Sequence, residues 1–225
     1  MPHLFFGKPK GQYIELDEHE TRHLNVVRLK VNEPLLITDG DGNLYKCELS
    51  HIGKDRSIAL IKESKKVEEE RNGFITVCIA SQNWERLRLL IEKTVELGAD
   101  NIIIYKSRRS RSYSCKEEKI KLVVRDSAKQ CFRCLFPNVE IQEDFAFLKG
   151  QIKTIVLHQS GRPATVEDFK GEITIVVGPE GDFEDDELNL LKENAQLLSL
   201  GRKILRFETA AILGVGMASF LNGRI

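Results

Sequence analysis

The spacing of apolar positions changes character near residue 73. Before that point the apolar runs are short. Leu35–Thr38 and Leu44–Leu49 flank the turn Asp39-Gly40-Asp41-Gly42-Asn43, which predicts a β-hairpin. Ser57–Ile61 predicts a further strand, and Asp17-Glu18-His19-Glu20 has the form of a capping box that opens a helix reaching Val26 or Val27. Lys62–Arg71 holds a single large apolar residue, Val67, and reads as a linker. After Gly73 strands and helices alternate. Phe74–Ala80 is almost continuously apolar, as expected of a strand covered on both faces. Leu87, Leu90, Ile91, Thr94, Val95 and Leu97 keep helical spacing up to Gly98. Asn101–Tyr105, Ile152–Leu157, Ile173–Val177 and Leu197–Leu200 predict strands. Helices are expected over about 116–134, which stops before Pro137, and over Glu184–Asn194, with acids in its first turn. The last helix, roughly Thr209–Leu221, is apolar nearly all round, so it must be buried in a core or against a second subunit. The pattern predicts an α/β fold with a mostly parallel sheet in the second part.

Composition changes this picture in two ways. The chain has 225 residues with 34 Lys and Arg against 34 Asp and Glu, a formal charge of zero. The charge is unevenly spread: residues 73–137 carry 13 Lys and Arg against 7 Asp and Glu, while residues 138–225 carry 9 against 14. A basic face can therefore coexist with an acidic region. The densest basic run is Lys106-Ser107-Arg108-Arg109-Ser110-Arg111-Ser112-Tyr113, either a solvated loop or a segment that grips phosphates. Five cysteines, an odd number with no closely spaced secreted framework, point to a reducing cytosol, and no leader or membrane span is expected.

Several motifs are excluded or weak. No G-x-G-x-x-G follows a strand, and Gly214-Val215-Gly216 lies inside the last helix, where small residues serve close packing. No G-x-S-x-G elbow occurs. Cys131-Phe132-Arg133-Cys134 lacks the second pair a zinc site needs, so no metal is expected. More informative are three glycine-bearing loops, each placed at or beside a predicted strand end: His158–Pro163, Gly178–Gly181 and Leu200–Arg206. That edge of an open α/β sheet is where ligands bind, and glycine lets backbone approach a flat ligand. Glu180 and Glu208 are the carboxylates nearest this site, though either could serve a turn or a helix terminus. Arg206 either touches substrate or forms a salt bridge to one of them.

These loops also carry a resemblance. Val177-Gly178-Pro179-Glu180-Gly181-Asp182-Phe183-Glu184 resembles a GPEGG[FL]-type motif, and Leu198-Ser199-Leu200-Gly201-Arg202-Lys203-Ile204-Leu205-Arg206-Phe207-Glu208-Thr209-Ala210 resembles L-S-L-G-x-x-I-L-R-x-E-T-A. Both are similar to motifs of the 16S ribosomal RNA uridine-N3 methyltransferases of the SPOUT (knotted) superfamily. His23–Lys30, Asp39–Gly42, Glu92–Ala99 and Ala128–Cys131 support this in order, so the likeness runs from about residue 20 to 212.

The resemblance implies a PUA-like β-barrel over residues 1–70 and a SPOUT trefoil-knot domain over 71–225. It implies a cytoplasmic homodimer that uses S-adenosylmethionine to methylate N3 of a uridine in the 30S subunit. The alternatives are a SPOUT enzyme with another base or ribose target, or an inactive RNA-binding relative. Expected cofactor contacts are Leu157, His158, Gly178, Pro179, Gly181, Leu198, Ser199, Leu200, Gly201, Ile204 and Leu205; the catalytic candidates are Arg206, Glu180 and Glu208. Arg22, Arg28, Lys30, Arg108, Arg109 and Arg111 are expected to meet RNA. Two positions depart from the pattern: Asp182 stands where many relatives have Gly, and His3 near a place where an Arg is common.

Overall fold

The computed structural model describes residues 3–67, 72–80, 83–110, 117–148 and 151–225. The chain divides into two compact units. One holds Met1–Glu69 together with Arg125–Phe136, and the other holds Glu70–Val124 and Pro137–Ile225.

The first unit contains β1 (Leu4–Phe6), β2 (Pro9–Lys10), β3 (Tyr13–Leu16), α1 (Glu18–Val27), β4 (Pro34–Thr38), β5 (Asn43–Ile52) and β6 (Ser57–Lys66). Its six-stranded sheet has the order β1-β4-β5-β6-β3-β2, antiparallel except for the β1–β4 pair. Inward-facing Phe5, Ile14, Leu16, Leu35, Ile37, Leu49 and Ala59 form its core with Leu24 of α1. The expected capping box is half realised: Asp17 accepts from the Glu20 amide at 2.9 Å. The Glu20 carboxylate instead turns inward, accepting from the Phe6 amide at 3.2 Å and from Lys129 Nζ at 2.6 Å. The hairpin turn is held by Asp39, which accepts from the Asn43 side chain at 2.7 Å, the Tyr45 hydroxyl at 3.0 Å and the Asp41 amide at 2.8 Å. Burial and this carboxylate push the Tyr45 hydroxyl up to about 12.

The expected linker from Lys62 is corrected over its first half. Lys62–Lys66 continue β6, with Lys66 opposite Asn43. Their side chains are exposed, so hydropathy carries no sign of a strand that is held by backbone hydrogen bonds.

The second unit contains β7 (Ile75–Ala80), α2 (Trp84–Glu96), β8 (Asn101–Tyr105), β9 (Asn138–Gln142), β10 (Thr154–Pro163), β11 (Ile173–Val177), α4 (Asp185–Asn194), β12 (Gln196–Ser199) and α5 (Phe207–Leu221), with α3 (Glu117–Gln130) contributing to both units. Its sheet is parallel throughout, in the order β12-β10-β11-β7-β8-β9. Every residue of β7 and β11 is buried, which accounts for their unbroken apolar runs. α2 is opened by Asn83, whose side chain accepts from the Arg86 amide at 3.1 Å, and it buries Leu87, Leu90, Ile91 and Val95. α5 lays Ala211, Gly214, Val215 and Ala218 inward, packing against β11 and β7. A Cβ on Gly214 would lie 2.7 Å from Leu157 Cδ1, which bears out the close-packing role of that glycine.

Other differences from expectation have local causes. α3 ends at Gln130 rather than near Cys134, because Phe132 adopts a left-handed backbone (φ 59°). Cys131 and Cys134 therefore flank the chain reversal after the helix. The residues His158–Pro163, expected as a loop, extend β10. Leu157 and Arg162 both face Leu198, so the intervening residues form a bulge. Gly161 is required there, since a Cβ would overlap the Leu197–Leu198 peptide. β9 was not expected, being a partly exposed edge strand of mixed polarity.

Candidate active site

The carboxyl ends of β10, β11 and β12 and the start of α5 enclose a cavity of about 460 Å³, within the range of roughly 300–1,000 Å³ usual for small-molecule sites. Its walls are mainly apolar, from Leu157, Val177, Leu198, Leu205 and Phe207, with backbone of Gly178, Pro179 and Ser199 between them. Of the expected cofactor contacts, Leu157, His158, Gly178, Pro179, Leu198, Ser199, Leu200, Ile204 and Leu205 line it. Gly181 and Gly201 do not. Gly181 lies behind its loop against Arg109, and Gly201 sits exposed with φ 139°. The Tyr105 hydroxyl donates to the Val177 carbonyl at 2.9 Å and fixes the strand end from which the Gly178 loop departs.

All three catalytic candidates line the cavity. The arginine that pairs with the acids is a different one, which sequence reasoning missed. Arg86 of α2 sits 2.8 Å from Glu180 and 3.4 Å from Glu208, with its guanidinium carbon 5.7 Å from the centre of the Phe207 ring. Arg206 forms no salt bridge among the described residues and is exposed at the head of α5. The two carboxylates differ sharply. Glu180 has 49% of its side chain exposed, Glu208 only 14%, and Glu208 Oε2 is buried with no hydrogen-bond partner among the described residues. A buried carboxylate oxygen without a donor is costly unless something bound in the site satisfies it.

His158 and Asp182 form a second polar element of the wall. His158 Nε2 lies 3.1 Å from Asp182 Oδ1, while Nδ1 lies 2.8 Å from the Ser160 hydroxyl and 3.2 Å from the Ser160 amide. Asp182 Oδ1 also accepts from the Phe183 amide at 2.8 Å.

The basic run lies beside this loop. Arg109 donates to Glu184 at 2.6 Å and to the Gly181 carbonyl at 2.9 Å, and its charge holds the Glu184 carboxyl below the usual carboxylate range. Arg108 pairs with Asp186, and its amide donates to Glu187 at 2.9 Å. Arg111 lies outside the described residues. In the first unit Arg22 pairs with Glu18, while Arg28 and Lys30 are exposed and make no ion pair among the described residues. His19, Glu20 and Asp126 bring metal-ligand atoms together, but Lys129 Nζ is 2.6 Å from Glu20 and 3.0 Å from Asp126 and already supplies the cation.

The sequence profile of an RNA methyltransferase domain matches residues 68–219, and that of an RNA methyltransferase PUA domain matches residues 16–62. The chain belongs to the RNA methyltransferase family. It is 28% identical over 216 residues to the ribosomal RNA small subunit methyltransferase E of Rickettsia conorii, covering 92% of this chain and 88% of that one. Its likeness to the enzyme of the same name from Bacillus subtilis is 27% over 225 residues, covering 89% and 87%. Among solved structures, a protein described as a predicted RNA methyltransferase from Thermotoga maritima is 39% identical over the full length of both chains, with a TM-score of 0.88. The small subunit methyltransferase E of Neisseria gonorrhoeae, solved with S-adenosyl methionine bound, is 25% identical over 96% of each chain, with a TM-score of 0.86. The curled N-terminal sheet of this methyltransferase is thus PUA-like and the parallel sheet is its methyltransferase domain. None of its described helices is long and apolar enough to cross a membrane.

Proposed function

We propose that this methyltransferase moves a methyl group from S-adenosylmethionine to N3 of a uridine in 16S ribosomal RNA, acting on the 30S subunit in the cytoplasm. The observation that carries the reading is the cavity at the carboxyl edge of β10–β12, with its buried, unpartnered Glu208 oxygen beside the free Arg206. The residues present fit the cofactor: apolar walls suit a purine, and the exposed peptide groups at three strand ends suit its polar edges. The Neisseria gonorrhoeae relative, which covers nearly the whole chain, carries that same cofactor.

When bound, S-adenosylmethionine supplies a methyl group already activated on a sulfonium sulfur. The protein's own tasks are to exclude water, orient the uracil ring and manage the N3 proton. Leu157, Leu198, Leu205 and Phe207 exclude water. Glu208 Oε2 accepts the proton from N3, since it faces no competing donor. Arg86 holds that carboxylate in place and keeps Glu180 from the same role by pairing with it at 2.8 Å. Arg206 offers its guanidinium to the negative charge that develops on the uracil oxygens.

The PUA-like unit supplies RNA contacts through Arg22, Arg28 and Lys30, and the segment around Arg108, Arg109 and Arg111 adds others beside the site. The domain division falls near residue 70, the C-terminal domain is a trefoil knot, and two chains associate through α5. Support for association comes from α5 itself, which keeps Leu213 and Phe220 exposed on faces turned from its own sheet.

The test is transfer of labelled methyl from S-adenosylmethionine to 30S subunits that lack the native modification, with the modified nucleoside identified afterwards. Labelled 3-methyluridine at one position is the expected result. A different methylated nucleoside would overturn the choice of target atom, and absence of label would overturn the catalytic reading.

A further inference from the structure

The residue that departs from the motif, Asp182, has a definite place in the cavity wall, and the roles proposed above leave it unused. Its backbone is left-handed at φ 65°, a conformation that glycine adopts freely and most other residues rarely. Its carboxylate lines the cavity and remains 45% exposed. The His158 ring lies against one side of the Asp182 carboxylate, with Nε2 at 3.1 Å from Oδ1 and 3.3 Å from Oδ2, and so fixes its orientation. Two nearby arginines hold other partners. Arg109 is held by Glu184 and the Gly181 carbonyl, and Arg86 by Glu180 and Glu208. Lys203 and Arg206, on the exposed loop before α5, also line the cavity but form no ion pair with Asp182. Among the described residues Asp182 forms no ion pair with a lysine or arginine. Oδ1 is occupied by the Phe183 amide and His158, while Oδ2 has only the longer 3.3 Å contact to His158 and keeps acceptor capacity.

A fixed carboxylate in a ligand cavity, without a lysine or arginine ion-pair partner among the described residues, favours a cationic ligand. Resting on the cofactor reading above, we infer that Asp182, oriented by His158, is a specificity residue that favours the positively charged sulfonium form of the cofactor over its neutral thioether product. The charge it recognises disappears when the methyl group leaves, so the same carboxylate weakens its hold on the spent cofactor and favours its exchange. Binding of this kind stabilises the charged ground state more than a transition state in which the charge is dispersing. It therefore lowers KM for the donor without raising kcat.

The experiment is calorimetric titration of the wild-type protein, Asp182→Asn and Asp182→Gly with S-adenosylmethionine and with S-adenosylhomocysteine, which lacks only the methyl group and its charge. Asparagine tolerates the left-handed backbone and glycine relaxes it, so both variants fold, and a thermal melt of each checks this. The expected result is a loss of roughly five- to tenfold in affinity for the sulfonium ligand, the scale of one charge a few ångströms away in a half-exposed site. Affinity for the thioether changes less than about twofold, since no net charge is read. Steady-state rates show KM for the donor raised and kcat unchanged or higher. Equal losses for both ligands would mean that the charge read is one they share, and unchanged affinities would reduce Asp182 to a turn residue; either overturns the inference while leaving the cofactor reading intact. Failure of the wild-type protein to bind S-adenosylmethionine would overturn the cofactor reading and the inference together.

Discussion

Arg86 and Glu208 show how the chemistry of the site depends on single atoms. One guanidinium spans two carboxylates, and the more buried one keeps an oxygen without a hydrogen-bond partner among the described residues. Replacing Glu208 with Gln keeps the shape and removes the proton acceptor, so the methyl-transfer rate should fall by roughly 10²–10⁴. Arg206→Ala should also slow transfer, and cofactor affinity measured by titration should change little in either variant. Retention of full rate by Glu208→Gln would move the proton to another acceptor. Asp168 makes a separate statement about pH. Arg162 grips it, with the Arg162 Nη1 contact at 2.9 Å, and Thr165 donates to it at 2.7 Å from its amide and 2.8 Å from its hydroxyl. Led by the arginine, these bonds hold its carboxyl well below the ordinary value near 3.8. A depressed acid stabilises the fold fully above its unfolded pKa and loses that contribution as pH falls toward the folded value. Urea midpoints should therefore separate wild type from Asp168→Asn at pH 7, and the gap should narrow as pH drops below about 4. A gap that stays constant with pH would rule out this linkage.

At the scale of elements, the close approach of β10 to β12 shapes one wall of the cavity. Gly161 sits in the bulge where β10 repeats its pairing with Leu198, and there is no room for a Cβ between the strands. Gly161→Ala should cost about 1–3 kcal/mol of stability by overpacking against rigid backbone, read as a lower unfolding midpoint. Because Leu198 and Ser199 line the cavity, the same variant should bind cofactor more weakly. A variant with wild-type midpoint and affinity would mean that the bulge relaxes without effect.

The pattern of apolar residues identified most of the parallel strands because burial on both faces leaves an unmistakable run, as in β7 and β11. It could not identify β9 or the outer half of β6. In those segments the side chains are of mixed or polar character and largely face solvent, so they leave no apolar run. The first glycine loop was misread for a related reason, since a bulged strand and a loop share the same turn-forming residues.

At the scale of the whole molecule, two features tie distant parts of the sequence together. The C-terminal Arg224 forms a buried pair with Asp100 at 2.6 Å and donates to the Gly98 carbonyl at 2.7 Å, which fastens the tail after α5 to the start of β8. Asp100 in turn accepts from the Ile75 amide at 2.9 Å at the start of β7. Arg224→Ala strands a buried carboxylate and should cost about 3–5 kcal/mol; an unchanged urea midpoint would show that the tail frays at no cost. The exposed apolar flank of α5 bears on assembly. The wild-type chain is expected to sediment as a dimer and Phe220→Asp as a monomer, because a charge introduced on that flank would have to be desolvated. A wild-type monomer would end the proposal of association through α5.

The sequence by itself determined where most strands of the parallel sheet lie, which loops fall near their carboxyl ends, and which residue types those loops bring. These are consequences of local composition: period, glycine and a few charged side chains at fixed offsets. Only the tertiary structure decided which of those residues act together. Arg86 reaches Glu180 and Glu208 from a helix far earlier in the chain, Arg206 makes no salt bridge among the described residues, and Arg125–Phe136 joins the unit formed by the first residues. The free oxygen of Glu208 and the orientation of Asp182 by His158 are likewise properties of packing. No spacing along a chain encodes them, because the partners are separated by tens of residues and meet only when the sheet has closed around them.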